Sequence, residues 1–187
     1  MARGNSPLDP KFLTPMAAQP VQSLPDGREW LYELKLDGYR ALIIKDGERV
    51  KILSRNQKDL TGQYPSLASG ARFLKAKAAV VDGEIVAVDT SGRPSFQALQ
   101  HRGVHPQHQI VFYAFDLLQV NGRDLTGEPL AKRRRALEKI VPADGSIRLL
   151  KDLPGTAAEV VRAVRAWAWR ASSPSAGLPS TGRGAIG

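Results

Sequence analysis

Residues 30 to 56 read WLYELKLDGYRALIIKDGERVKILSRN, and the short connections inside this stretch limit the fold more than any other feature. WLYELKL, YRALIIK and RVKILS are strand-like, rich in leucine, isoleucine and aromatic residues. Between the last two, Lys45-Asp46-Gly47-Glu48 is a turn signal. A parallel crossover needs roughly a dozen residues or more, which these connections do not have. The stretch is therefore expected to form a hairpin or meander, and not a βαβ unit.

The rest of the chain extends that reading. AVVDGEIVAVD (79–89) and QIVFYAFDLLQVNG (109–122) are strands, the second ending in an Asn-Gly turn, and IRLL is a short one. PSLASGARFLKAKA from Pro65 is a helix with Pro in its first turn, and SFQALQHR is a short helix. PLAKRRRALEKIV (129–141) is an amphipathic helix with a basic face, and GTAAEVVRAVRAW a helix opened by a Thr N-cap. Strands with interspersed helices and no regular repeat predict an α+β fold, with largely antiparallel sheets flanked by helices. Residues 1–28 are Pro-rich and aperiodic, a lead-in segment. The domain is expected over 29–165. From Ala166 to Gly187 most residues are Ala, Ser, Gly or Pro and no acid occurs, so this tail is expected to be disordered.

Lys35 poses the chemical question. It lies in a strand-like stretch with Glu33, Asp37 and Tyr39 at alternating positions, which would share one face of a continuing strand. A lysine nucleophile must lose its proton, and nearby cations or desolvation favour that; Arg40, Lys51 and Arg55 are the candidate cations. Gly38 leaves room for a close backbone approach, such as that of a phosphate.

Glu33-Leu34-Lys35-Leu36-Asp37-Gly38-Tyr39-Arg40 resembles the K-x-D-G-x-R signature of covalent nucleotidyltransferases: ATP-dependent DNA ligases, RNA ligases and capping enzymes. Three further motifs follow in the family's order: Leu53-Ser54-Arg55-Asn56, Asp82-Gly83-Glu84-Ile85-Val86, and Phe112 to Leu118 with Asn121-Gly122 behind it. Phe12-Leu13-Thr14-Pro15-Met16 and Trp30-Leu31-Tyr32-Glu33 are most similar to the ligase module of bacterial end-joining DNA ligases. The likeness covers roughly residues 12 to 165. It implies an ATP-grasp-like nucleotidyltransferase adenylation domain, in which Lys35 attacks the α-phosphorus of ATP and carries AMP for sealing nicks in DNA repair and recombination. By the same resemblance Glu33 lies at the adenine region, Arg40 and Arg55 hold phosphate and ribose, Glu84 contacts ribose or a metal, and Phe115 stacks on adenine. Mg²⁺ or Mn²⁺ is the implied ion, and nicked double-stranded DNA and end-joining proteins are the implied partners. An RNA ligase or capping-type enzyme, or an inactive remnant that only binds nucleotide or DNA, are the alternatives.

A family motif of the form E-G-(V/L)-V-x-K, a later Lys-x-Lys and an OB-fold domain have no match here, so the adenylation domain is read as partial. Codons for residues 166–177 can give L-G-L-E-G-V-V-A-K-R-R in a shifted frame. The tail is therefore expected to arise from a frameshift near residue 166.

Bulk properties agree with a polyanion partner. Lys and Arg number 27 against 18 acids, a net charge of +9 with a pI near 10.1, which favours nucleic acid. The Lys132-Arg133-Arg134-Arg135 run reads more readily as a solvated helix face than as a DNA contact. His101, His105 and His108 read as surface loop residues. With no Cys, no apolar run of about 18 residues and no secretory h-region, the expectation is a cytoplasmic, nucleoid-associated protein without membrane contact.

Overall fold

A computed structural model describes residues 10–16, 19–27, 30–101 and 107–172, with side chains to 166. The chain divides into two compact units, one of residues 1–19 and 35–151, the other of 20–34 and 152–187.

The first unit is built on one sheet. β1 (Tyr39–Asp46) and β2 (Arg49–Ser54) form the expected hairpin, with Gly47 and Glu48 as its turn. β3 (Ala78–Val88) pairs antiparallel with β1, and β4 (Gln109–Val120) with β3. Asn121 and Gly122, both at positive φ, turn β4 into β5 (Arg123–Asp124). β6 (Ile147–Leu149) joins β4 in parallel, the one parallel pairing among the described strands. The strand order is β2-β1-β3-β4-β5.

Period-two alternation sends Ala41, Ile43, Val81, Ile85, Phe112 and Ala114 to one face. There they bury against α1 (Pro65–Ala71), α2 (Phe96–Gln100) and α3 (Leu130–Ile140), whose Leu67, Leu99, Leu137 and Ile140 complete the core. The opposite face carries two small apolar patches. Leu42, Val80 and Leu118 are covered by Phe12 and Leu13; Val86, Val88 and Val111 are covered by Leu36. Polar residues of β1 and β3 lie between those patches. Lys45 is buried on the core side, and its Nζ donates to the Arg72 carbonyl at 2.7 Å at the end of α1, where a cation complements the helix dipole.

Several expectations change. WLYELKL is not a strand: Tyr32 makes only an isolated bridge, to Leu153, and the ladder begins at Tyr39. Gly38 is required for a different reason. A Cβ there would collide with the Ile85 carbonyl of β3, so the close approach is made by the sheet itself. Tyr39 turns to the helical face and meets Phe96 edge-on at 5.6 Å, on the side of the sheet opposite to its neighbour Arg40. The strand expected over 79–89, with Asp82-Gly83 inside it, forms as β3.

In the second unit the backbone N–H of Leu153 donates to the Tyr32 carbonyl at 2.7 Å, and the Tyr32 hydroxyl to the Pro25 carbonyl at 2.8 Å. α4 (Ala157–Ser172) starts at the expected Thr156 cap, where Glu159 returns a bond to the Thr156 N–H at 2.8 Å, a capping box. The helix continues six residues past Ala166, so the first part of the expected disordered tail is helical. The remainder, 173–187, and His105 lie outside the described residues. Among the described residues no helix is long and apolar enough to cross a membrane.

Candidate active site

β1 and β3 place Arg40 directly opposite Glu84, and Asp82 stands one pleat further along the same face. The Arg40 guanidinium closes on Asp82 through Nε–Oδ1 at 3.2 Å and Nη2–Oδ2 at 2.8 Å. Its Nη1 donates to the Met16 carbonyl at 2.7 Å. The cation also lies 5.4 Å from the centre of the Phe115 ring, within cation–π range.

Phe115 reaches that position through an irregularity. Asp82 pairs with Asp116 but Gly83 pairs with Ala114, so Phe115 is the extra residue of a β-bulge, a device that re-aims a side chain. Gly83 permits it, because a Cβ there would run into the Phe112 ring and the Tyr113 carbonyl. Asp116 is held from behind by Arg133 of α3, through Nε and Nη2 at 2.8 Å each.

Electrostatics follow from this packing. The Asp82 side chain is only 3% exposed, and burial pushes its pKa up while the Arg40 bonds oppose that rise. Arg40 is held above its ordinary value, first by its hydrogen bond to Asp82. Burial raises Glu84 to about 7, with Asp82 and Asp37 adding to the rise while Arg40 and the Gly38 N–H oppose it. A desolvated carboxylate of this kind gains from a nearby cation.

Arg40 also lines an open cleft of about 610 Å³, whose other wall is the turn after β2 with Arg55, Asn56 and Lys58. That turn is closed on itself. The Ser54 N–H donates to the Lys58 carbonyl at 2.9 Å, the Lys58 N–H to Ser54 Oγ at 3.0 Å, and Gln57 takes a positive φ of 61°.

The sequence-predicted residues are thus distributed unevenly. Arg40, Glu84 and Phe115 come together on one sheet face, and Arg55 shares the cleft with Arg40. Lys35 is exposed in the segment before β1, and Asp37 of that segment is close enough for its charge to act on Glu84. Glu33 falls in the second unit. Three contributors escaped sequence reasoning: the Asp82 carboxylate as the partner of Arg40, the Met16 carbonyl, and the Arg133–Asp116 pair. The basic run of α3 is less solvated than expected, since Arg133 holds Asp116 and Arg134 donates to the Leu150 carbonyl at 2.7 Å.

A model of the ATP dependent DNA ligase domain matches residues 15–172. The chain is 39% identical over 141 residues to the multifunctional non-homologous end joining DNA repair protein LigD of Mycobacterium tuberculosis, covering 75% of this chain and 18% of that protein. It is 35% identical over 144 residues to DNA ligase C of the same organism, covering 72% of this chain and 39% of that one. Among solved structures, the ligase domain of M. tuberculosis LigD superposes with a TM-score of 0.62 at 37% identity, over 73% of this chain and 45% of that one. A mycobacterial DNA ligase D complexed with ATP and MES gives 0.62 at 36% identity, over 73% and 44%. The chain therefore spans less than half the length of each of these relatives.

Proposed function

Because the chain belongs to the ATP-dependent DNA ligase domain family, we propose that it is the nucleotide-charging part of an end-joining DNA ligase, with Lys35 as the residue that carries AMP. The Lys35 amine attacks the α-phosphorus of ATP, a P–N bond forms, and the bond to the departing pyrophosphate breaks. AMP then moves to the 5′-phosphate of a nick in double-stranded DNA, and the 3′-hydroxyl displaces it. The observation that carries this reading is the convergence of Arg40, Glu84 and Phe115 on the sheet face reached by the Lys35–Gly38 segment.

Each group has a role its surroundings support. Phe115 offers a ring face for the base, with Arg40 packed against the ring at 5.4 Å. The side-on Arg40 fork is already closed on Asp82 and a third N–H goes to the Met16 carbonyl, so Arg40 holds the site's shape and keeps two N–H groups for a ligand. Arg55, exposed across the cleft, is the guanidinium available to phosphate or ribose. Glu84, a hard oxygen donor with its pKa raised to about 7 by burial and the Asp37 charge nearby, is the residue that would hold Mg²⁺ or Mn²⁺. No cluster of three acidic or histidine side chains stands ready for an ion among the described residues, so nucleotide oxygens would complete its shell. Such an ion neutralises triphosphate charge when bound. Cytoplasmic, nucleoid-associated action with end-joining proteins completes the proposal.

The test is incubation with α-labelled ATP and Mg²⁺, comparing wild type with Lys35→Ala. Label on wild type alone, discharged by nicked DNA, is expected. Label on neither, with ATP binding retained, favours the reading of a binder without turnover.

A further inference from the structure

Arg40 and the turn after β2 divide the work of the cleft unequally. A guanidinium has five N–H groups. Three of those on Arg40 are committed, two to Asp82 and one to Met16, which leaves two, one on each terminal nitrogen. No more than these two are open to a ligand, so any further phosphate oxygens need other donors. The cleft nevertheless has three cationic side chains in its lining and no carboxylate. The nearest acid in sequence, Asp59, turns away to accept from the Thr61 N–H at 2.8 Å.

From this we infer that Lys58 is a phosphate-gripping residue, acting with Arg55 from the turn of residues 54–58. The inference rests on the proposed ligase reading for the identity of the phosphate, which belongs either to the DNA backbone or to the nucleotide. The turn is suited to the task because its shape does not depend on the side chains it presents. Its closing bonds use the backbone of Lys58 and the hydroxyl of Ser54, and Leu60 N–H to the Ile52 carbonyl at 2.8 Å ties the far end to β2. Arg55 and Lys58 are both exposed, and their side chains make no hydrogen bond or ion pair among the described residues. Two cations therefore stand uncompensated on a rigid turn facing a cleft. That arrangement suits a dianionic or diester oxygen array, for which an ammonium is a compact point charge.

The experiment has two arms and needs no turnover. In the first, the full chain without ATP is titrated against a fluorescent nicked duplex over a range of salt concentrations. In the second, ATP binding is measured by calorimetry. Lys58→Ala and Lys58→Arg are compared with wild type, and Lys139→Ala, an exposed cation of α3, controls for net charge. If the phosphate is the DNA's, Lys58→Ala lowers the slope of log affinity against log salt by about one, Lys58→Arg restores it, and ATP binding is unmoved. If it is the nucleotide's, the ATP dissociation constant rises instead. The inference is overturned if Lys58→Ala equals wild type or Lys139→Ala in both arms, or if wild type binds neither ligand. Because neither arm reads label on Lys35, a chain that fails to adenylate still tests Lys58, and one that adenylates normally can still refute it.

Discussion

Arg40 and Arg55 line one cleft and belong to neighbouring motifs, yet the fold treats them in opposite ways. Arg40 sits on β1 with its side chain 28% exposed, bonded to a buried carboxylate and a backbone carbonyl and stacked on an aromatic ring. Arg55 stands exposed on a turn. The first is organised before any ligand arrives; the second is held by no partner among the described residues. On the proposed function, the cation fixed at the sheet would give the site its geometry and the one at the rim would give adaptable affinity, its ordering cost met on binding.

The contrast can be broken from its rigid side first. Asp82→Ala removes the buried member of the pair and leaves a half-buried guanidinium without its partner, and should cost about 3 kcal/mol of unfolding free energy, read by urea denaturation. A loss below about 1 kcal/mol would show that the pair is not structural. Gly38→Ala drives a methyl into the Ile85 carbonyl and should cost on the order of 1–3 kcal/mol through backbone displacement, with nucleotide affinity falling as well. Phe115→Leu removes the ring under Arg40 and is expected to cost about 0.5–1 kcal/mol of stability beyond its lost area, but a larger share of ATP affinity. At the small end, Arg55→Ala should leave the denaturation midpoint within about 0.5 kcal/mol of wild type while weakening ligand binding. If Arg55→Ala destabilised the fold as much as Asp82→Ala, the distinction between the two arginines would fail.

Much of the fold was legible because its signals are local. The Gly47 and Asn121-Gly122 turns, the alternation along β1 and β3, and the Thr156–Glu159 box each lie within a few residues of one another. Residues 30–38 misled because Trp30 and Tyr32 favour strands and Leu34 and Leu36 continue their alternation, whereas Leu36 buries itself on Val86, Val88 and Val111 from outside the ladder. Propensity reports a preference for half-buried surface, and that surface does not require ladder hydrogen bonds. The motifs located Arg40, Glu84 and Phe115 as site candidates, and the sheet register explains why three distant segments meet. What stayed hidden is relational. The Arg40–Asp82 pair spans 42 positions, and a bulge adds a residue without marking itself in a period-two pattern. The long-range Arg133–Asp116 pair turned part of an apparently solvated basic run into scaffold.

The central claim is that the exposed amine of Lys35 is the point at which AMP becomes covalently attached beside the Arg40–Glu84–Phe115 face. Peptide mapping by mass spectrometry after incubation with ATP and Mg²⁺ tests it most directly. The account predicts an acid-labile AMP adduct on the peptide containing Lys35, lost in Lys35→Ala and diminished in Phe115→Leu. An adduct on any other lysine, or one that persists in Lys35→Ala, would contradict it.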